Sequence, residues 1–238
     1  MPPSEAALAS GWTLRDGLLV EARLSALGVR HGVTTRRLGD MKDPANRREA
    51  AVRVGLPEPM TLRQVHGERI LAGAAENVGR DGDGWLVDKP GICVGVYAAD
   101  CAPLFVWSDD GRAAGVFHAG WRGTAKGMAK AAVAAFAERL SIPASRLCAA
   151  IGPHIGPCCY RVGPEFEREF PAQSLRRRGG ELYLDLGAEN RRQLAEAGVD
   201  ERRLGPTAAC TACGRDDYFS FRRDKQDARM LAFLSLNR

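Results

Sequence analysis

The sequence predicts one α+β domain of layered helices and sheets. Three observations predict it: strand-like segments come in runs, helical periodicity is confined to a few places, and no regular strand–helix alternation links the two. No Gly-x-Gly-x-x-Gly follows a strand and no phosphate-binding P-loop occurs, so a dinucleotide fold of the usual kind is not expected. The 238 residues are 45% hydrophobic and 26% charged, an ordinary globular composition. No internal repeat or low-complexity linker divides them, and residues 1–238 read as a single domain.

Along the chain, Pro44 to Val54 reads as the first helix. Leu62 to Val65 is a short apolar–polar alternation that ends at His66, a candidate strand. Ile92 to Ala98 and Pro103 to Trp107, rich in Val, Tyr and Phe, read as buried strands. The turn Asp109-Asp110-Gly111 then feeds Ala113 to His118, which predicts a hairpin. Gly123 to Leu140 is Ala-rich, with apolar residues at Met128, Ala131, Val133, Phe136 and Leu140, and predicts a helix capped by Thr124 and stopped at Ser141-Ile142-Pro143. Leu147 to Gly152 and Leu182 to Leu184 are weaker strand signals. Ala188 to Ala197 predicts another helix, with Gly198 as its left-handed cap. The Gly- and Pro-rich stretch from Ile151 to Pro164 lies between apolar segments and reads as an active-site loop.

Charge and cysteine content narrow the function. The net charge is +5, but its arginines are scattered in small groups such as Arg176-Arg177-Arg178 rather than gathered in a stripe with aromatics, so no nucleic-acid partner is expected. A mild positive excess still favours a small anionic substrate. No stretch approaches the ~18 apolar residues of a spanning helix. Met1-Pro2-Pro3-Ser4-Glu5 lacks the basic start of a secretory signal. Seven cysteines, an odd number, in a chain this long fit reduced thiols in a cytoplasm.

Two of the four histidines fall where predicted strands end: His66 in Arg63-Gln64-Val65-His66-Gly67 and His118 in Val116-Phe117-His118-Ala119-Gly120. Between them, Ala99-Asp100-Cys101-Ala102-Pro103 marks a break between strands, with a proline that removes a ladder donor. Cys101 follows His66 by 35 positions and precedes His118 by 17, far too long for a zinc knuckle but suited to a site built from separate strands. Three such ligands leave the fourth position of a tetrahedral ion open. The same residues read equally as a Cys101 nucleophile activated by His118, or as core histidines beside an inert thiol. Cys210-Thr211-Ala212-Cys213 and the vicinal pair Cys158-Cys159 make a poor structural zinc pattern, because adjacent cysteines rarely point at one ion and no second CxxC follows.

Six segments in order resemble the signature blocks of the laccase-domain family, also called YfiH-like or multicopper polyphenol oxidase. They begin at His31-Gly32-Val33-Thr34-Thr35-Arg36, continue through the three strings around His66, Cys101 and His118, and include Ile151-Gly152-Pro153-His154-Ile155-Gly156-Pro157-Cys158-Cys159-Tyr160 and Tyr218-Phe219-Ser220-Phe221-Arg222-Arg223-Asp224. The resemblance implies a YfiH-like α+β fold of mixed sheets flanked by helices, and a zinc site at His66, Cys101 and His118. It implies purine nucleoside phosphorolysis on adenosine, inosine and methylthioadenosine, with adenosine deamination as a second activity. Editing of peptidoglycan precursors by a Cys101-dependent hydrolase, and a single-copper polyphenol oxidase, are the alternatives it carries. A laccase proper needs roughly eight imidazoles for its copper cluster, and this chain has four histidines. Copper can nonetheless replace zinc at a single N/S site. The chain departs from the family pattern at Leu38, where a glycine is expected, in a shortened loop before Pro44, and at Asp227-Ala228-Arg229.

For phosphorolysis, Arg36, Arg122 and Arg222 are the candidate phosphate ligands, since guanidinium forks match oxyanions. Gln64 is the candidate for base or ribose, and Trp121 for stacking. Asp100 is the candidate catalytic carboxylate that orients His66 or His118 beside Cys101. Deamination needs a carboxylate proton shuttle as well, and no residue is assigned to it. The expected partners are a purine nucleoside and phosphate, with no nucleic acid or membrane, in a monomer or homodimer.

Overall fold

The computed structural model describes residues 11–237; the segment Met1–Glu5 lies outside the described residues. Among these, fifteen strands form three sheets flanked by helices. One six-stranded sheet runs in the order β1 (Trp12–Arg15), β2 (Leu18–Glu21), β3 (Arg30–Thr34), β15 (Met230–Ser235), β7 (Cys93–Ala98) and β4 (Met60–Thr61). The other runs β14 (Leu204–Thr207), β10 (Leu147–Ile151), β8 (Ala102–Ser108), β9 (Ala114–Ala119), β6 (Gly84–Val87) and β5 (Ile70–Ala72). Both are mixed: β4–β7, β5–β6 and β10–β14 pair parallel, and the remaining neighbours antiparallel. A three-stranded antiparallel sheet joins β11 (Arg161–Val162), β13 (Glu181–Leu184) and β12 (Leu175–Arg178).

The two large sheets face each other across an apolar layer, and strand alternation explains how. Along β8, Phe105 and Trp107 enter the inter-sheet core while Ala102, Leu104 and Val106 face the opposite way. Along β15, Met230, Ala232 and Leu234 enter the same core while Leu231 and Phe233 face outward. Both faces are covered, so these strands read as unbroken apolar runs. Trp85, in this layer, donates its Nε1–H to the Gly95 carbonyl of the facing sheet at 3.2 Å, which satisfies its polar edge.

Helices close the outer faces. The helix α1 (Ala22–Ala26) follows β2, with Glu21 accepting from the Leu24 amide. The helix α2 (Pro44–Arg53) covers the first sheet; Asp43 accepts from the Ala45 amide and Pro44 holds the first helical position. The second sheet carries α3 (Trp121–Lys126), α4 (Met128–Leu140) and α6 (Leu186–Glu196), with the short α5 (Phe166–Glu169) beside them. Asp185 caps α6 and Gly198, at φ +97°, follows its end. The short α7 (Phe221–Asp224) precedes β15.

Two expectations are corrected. The segment Gly123–Leu140 is not one helix: Gly127 takes φ +93° and separates α3 from α4. Thr124 is therefore inside α3, not its cap, and its buried hydroxyl accepts from Asn190 Nδ2 at 3.0 Å. Leu62–Val65 is not a strand. The amides of Val65, His66 and Gly67 turn to the Asp83 carboxylate, and the Gln64 side chain pairs with the backbone of Tyr97, so side chains replace the ladder. Only Arg63 keeps an isolated bridge, to Asp81.

Candidate metal centre and its cavity

Three sequence-distant elements bring together the candidate ligands. His118 lies in β9 opposite Pro103 of β8. Cys101 occupies the corner between β7 and β8, where Asp100 takes the left-handed φ of +87°. His66 sits in the loop at φ +58°. Non-glycine residues rarely hold such angles unless their surroundings fix them, and both are fixed by hydrogen bonds described below. The ligand atoms of His66, Cys101 and His118 all lie within 4.8 Å of one another. A Cβ on Gly120 would come to 2.9 Å from Cys101 Sγ and 3.2 Å from His66 Cδ2, so the absence of a side chain there keeps the cradle open. Two imidazoles and a thiolate fit a borderline-soft divalent ion with an open position.

The carboxylate that organises the site is Asp83, not Asp100. Fully buried, Asp83 accepts from His118 Nδ1 at 2.9 Å and from the amides of His66 at 2.9 Å, Gly67 at 2.8 Å and Val65 at 3.2 Å. It therefore fixes the His118 tautomer and shapes the His66 turn with one side chain. Burial works against its ionisation, yet the His118 contact and these amides hold it below the usual carboxylate range. Asp100 was the sequence's candidate for this role. Its carboxylate instead accepts from Thr211 Oγ1 at 2.6 Å and the Arg222 amide at 2.7 Å, which stabilises the corner before Cys101. An acid between two glycines, Gly82-Asp83-Gly84, was the signal available for Asp83.

The electrostatics follow. Burial opposes ionisation of Cys101, but His118 and then His66 more than offset it and bring the thiol down to about 6. Burial likewise opposes charge on His118, and the Cys101 and Asp83 anions overcome it, raising the imidazole to about 9. A thiolate facing an imidazolium is thus the favoured state of these side chains at neutral pH.

Two cavities meet at the ligands, sharing His66, Ala99, Cys101 and Phe221. One, of about 600 Å³, is bounded by Lys42, Arg63, Gln64, Tyr97 and Arg229. The other, of about 410 Å³, is bounded by Trp121, Arg122, Tyr160, Arg222 and Lys225. In the first, the cations are paired: Lys42 and Arg229 with Asp227, and Arg63 with Asp81. In the second, Arg122, Arg222 and Lys225 lie over the rings of Trp121, Tyr160 and Phe221, and among the described residues none has a carboxylate partner.

The sequence candidates thus separate. Gln64, Trp121, Arg122 and Arg222 line the cavities. Both ends of the Gln64 amide are taken by Tyr97, however, at 2.9 and 2.7 Å. Trp121 packs on Phe166 and carries Arg122, while half-exposed Phe221, common to both cavities, has Lys225 and Arg229 over its ring. Arg36 lines neither cavity; its guanidinium donates to the Arg215 carbonyl at 2.7 Å and lies over Phe219. Sequence reasoning missed Lys42, Tyr97, Tyr160 and Lys225, none of which belongs to a compact motif.

The other two histidines are structural. His31 accepts from the Glu21 amide at 2.8 Å, and His154 pairs through Nδ1 with the Gly152 carbonyl at 2.8 Å; burial lowers the pKa of both. The vicinal and CxxC cysteines do converge, against their sequence pattern: Cys158, Cys159, Cys210 and Cys213 form a second group with all sulfurs within 4.8 Å. No helix among the described residues is long and apolar enough to cross a membrane.

Comparison with known proteins agrees with this architecture. The family model for multi-copper polyphenol oxidoreductase laccases matches residues 22–237. A Geobacillus stearothermophilus protein named purine nucleoside phosphorylase YlmD is 38% identical over 64% of this chain, a match spanning 59% of its own length. The Escherichia coli purine nucleoside phosphorylase YfiH is 32% identical, with 80% of this chain and 79% of the relative covered. Among solved structures, YlmD of G. stearothermophilus superposes with a TM-score of 0.87 at 29% identity over 96% of this chain and all of that one. A Bacillus licheniformis protein described as hypothetical protein YfiH gives 0.85 at 25% identity over 95% and 99%.

Proposed function

The chain belongs to the multi-copper polyphenol oxidoreductase laccase family, and from that premise we propose that it is a zinc-dependent purine nucleoside phosphorylase acting on adenosine, inosine and methylthioadenosine. Its curated relatives carry the phosphorylase name. The observation that carries the reading here is the pairing of a three-ligand metal cradle with a neighbouring cavity whose Arg122, Arg222 and Lys225 have no carboxylate partner.

Phosphorolysis breaks the bond from the sugar C1′ to the purine nitrogen and forms one from C1′ to a phosphate oxygen. Arg122, Arg222 and Lys225 hold the phosphate dianion, the two guanidiniums by forked hydrogen bonds and the lysine as a point charge. Phe221 and Tyr97 offer surfaces for the base in the larger cavity, whose cations are already neutralised and so do not compete for phosphate. Asp83 keeps His118 oriented, and Asp100 keeps the Cys101 corner and the Arg222 backbone in place. Zinc held by His66, Cys101 and His118 supplies Lewis acidity toward a substrate oxygen or purine atom; copper is the other ion this donor set takes. The chain works as one cytoplasmic domain, as a monomer or homodimer, on small molecules alone.

The test is metal analysis of the purified protein followed by assays on adenosine and inosine with and without phosphate. Near one zinc in the His–Cys–His site, with phosphate-dependent release of base and ribose-1-phosphate, is the expected result. Base release that ignores phosphate overturns it. Ammonia release from adenosine, and polyphenol oxidation after copper loading, are read in the same samples. A second reading has its own support: Cys101, His118 and Asp83 stand in the order nucleophile, base and orienting carboxylate. It makes the protein a hydrolase of peptidoglycan precursors, and predicts activity that survives chelation and is lost on alkylation.

A further inference from the structure

We propose that Cys158, Cys159, Cys210 and Cys213 form a second metal site, a four-thiolate zinc clamp that ties the loop after β10 to the loop after β14. None of the four takes part in the chemistry above, and all their sulfurs lie within 4.8 Å of one another. Cys213 Sγ is 3.5 Å from both Cys158 Sγ and Cys159 Sγ, and all four are free thiols. A tetrahedral ion with Zn–S bonds of about 2.3 Å separates its sulfurs by about 3.7 Å, whereas a disulfide requires about 2.05 Å. The spacing is that of four donors around one centre.

The backbone explains how adjacent cysteines reach one point. Cys159 and Tyr160 both donate their amides to the Gly156 carbonyl at 3.0 Å, which makes residues 156–160 a helical turn. In such a turn successive side chains diverge by about 100° rather than the 180° of a strand, so Cys158 and Cys159 share a side. The opposite half is the turn Cys210-Thr211-Ala212-Cys213, closed by the Gly214 amide on the Cys210 carbonyl at 3.0 Å. The halves are held together by a parallel bridge between His154 and Cys210 and by the Thr211 amide on the His154 carbonyl at 3.0 Å. The Gly156 amide donates to Cys210 Sγ at 3.2 Å, a contact that favours thiolate over thiol. A Cβ on Gly156 would lie 3.3 Å from Cys210 Cβ, so glycine permits the close approach.

The clamp sits behind the active site. Thr211, between the CxxC cysteines, donates to Asp100, and the Ile155 amide donates to the Asp100 carbonyl at 2.9 Å. Arg223 donates to the carbonyls of Thr211 and Ala212, and Tyr160, which follows Cys159, lies beneath Arg222. A metal at the four sulfurs thus fixes the wall that presents Asp100, Tyr160 and Arg222 to the smaller cavity.

The experiment counts zinc in full-length protein purified anaerobically under reducing conditions. Wild type is expected to carry about two zinc per chain, and H66A/H118A and C210S/C213S about one each. Because the cysteine variant could fail to fold, H66A/H118A loaded with Co²⁺ gives an independent readout: the thiolate-to-cobalt charge-transfer and tetrahedral bands of a four-sulfur site. Stoichiometric addition of a mercurial to that variant is expected to release its single zinc. The proposal is overturned by H66A/H118A protein without zinc and without the cobalt spectrum. Zinc content unchanged in folded C210S/C213S, or a disulfide among these four cysteines in the anaerobic preparation, overturns it equally. The outcome is independent of whether the protein proves a phosphorylase, since H66A/H118A removes the other site.

Discussion

Cys93 opens β7 and Cys101 stands at the corner beyond its end, so two cysteines eight positions apart occupy contrasting surroundings. Cys93 is 2% exposed among Leu18, Met41, Ala50, Leu231 and Phe233, and burial pushes its thiol up to about 12. Burial acts on Cys101 in the same direction, yet the imidazoles beside it reverse the outcome and bring it to about 6. Desolvation therefore does not decide whether a thiol is inert or reactive. What decides is whether a cation has been placed beside it, and here Asp83 places that cation by holding His118.

The contrast sharpens most in thiol labelling. On chelator-treated protein at pH 7.5, iodoacetamide should modify Cys101 well before Cys93, because Cys101 is thiolate at that pH while Cys93 is a buried neutral thiol. Peptide mapping separates the two from the surface thiols. The Cys101 rate should climb as pH rises through about 6 and then level off. Stability should not follow this profile. The Cys101 contribution, present above its unfolded pKa near 9, is lost as pH falls toward 6; the His118 contribution, full below 6.5, is lost as pH rises toward 9. The two slopes oppose each other, so a flat thermal-unfolding midpoint across that window is expected, and a steep one breaks the pairing.

Function separates the cysteines next. Cys101→Ala should lower kcat/KM for phosphorolysis by about 10³-fold, a magnitude typical of removing a central catalytic group, and should abolish zinc in the His–Cys–His site. Asp83→Asn should weaken zinc by about 10–100-fold in a chelator competition and slow Cys101 labelling at pH 7.5; unchanged labelling would show that Asp83 does not hold the cation in place. The smallest effect belongs to Cys93→Ala, which should cost about 1 kcal/mol, or about 2–4 °C in Tm, with metal content and kcat intact.

The sequence made some of this legible for clear reasons. The strands at 92–98, 103–107 and 113–118 were visible because continuous apolar runs bounded by turns are what strands buried on both faces look like. The candidate ligand group was visible because histidine is scarce and two of four fell where strands were predicted to end, although the strand before His66 is absent. Gly127 was hidden inside helical periodicity, which registers apolar spacing and not a left-handed residue between two helices. Leu62–Val65 has strand alternation, but its hydrogen bonds go to the Asp83 and Gln64 side chains, contacts no local pattern encodes. The role expected of Asp100 falls to Asp83, which the sequence reading did not single out, for the same reason: chain proximity to Cys101 favoured Asp100, while Asp83 reaches His118 across 35 positions. The convergence of the four cysteines was hidden because it depends on the helical turn at 156–160 and on the His154–Cys210 bridge, which the spacing of the cysteines does not encode.

One further property follows from where β15 lies. It fills the middle of the first sheet, between β3 and β7, and Leu231 donates to the Thr34 hydroxyl 197 positions away. The second sheet, by contrast, contains the local hairpin of β8 and β9. Loop-closure entropy makes pairings of long separation slow to form. During folding, β3 and β7 must therefore wait with unpaired backbone edges facing the gap, and such edges recruit other chains. Refolding yield should fall with protein concentration for this reason, and Phe221, Arg222 and Arg229 should reach the cavity only when that gap closes, so enzymatic competence is gained in the last, slowest kinetic phase.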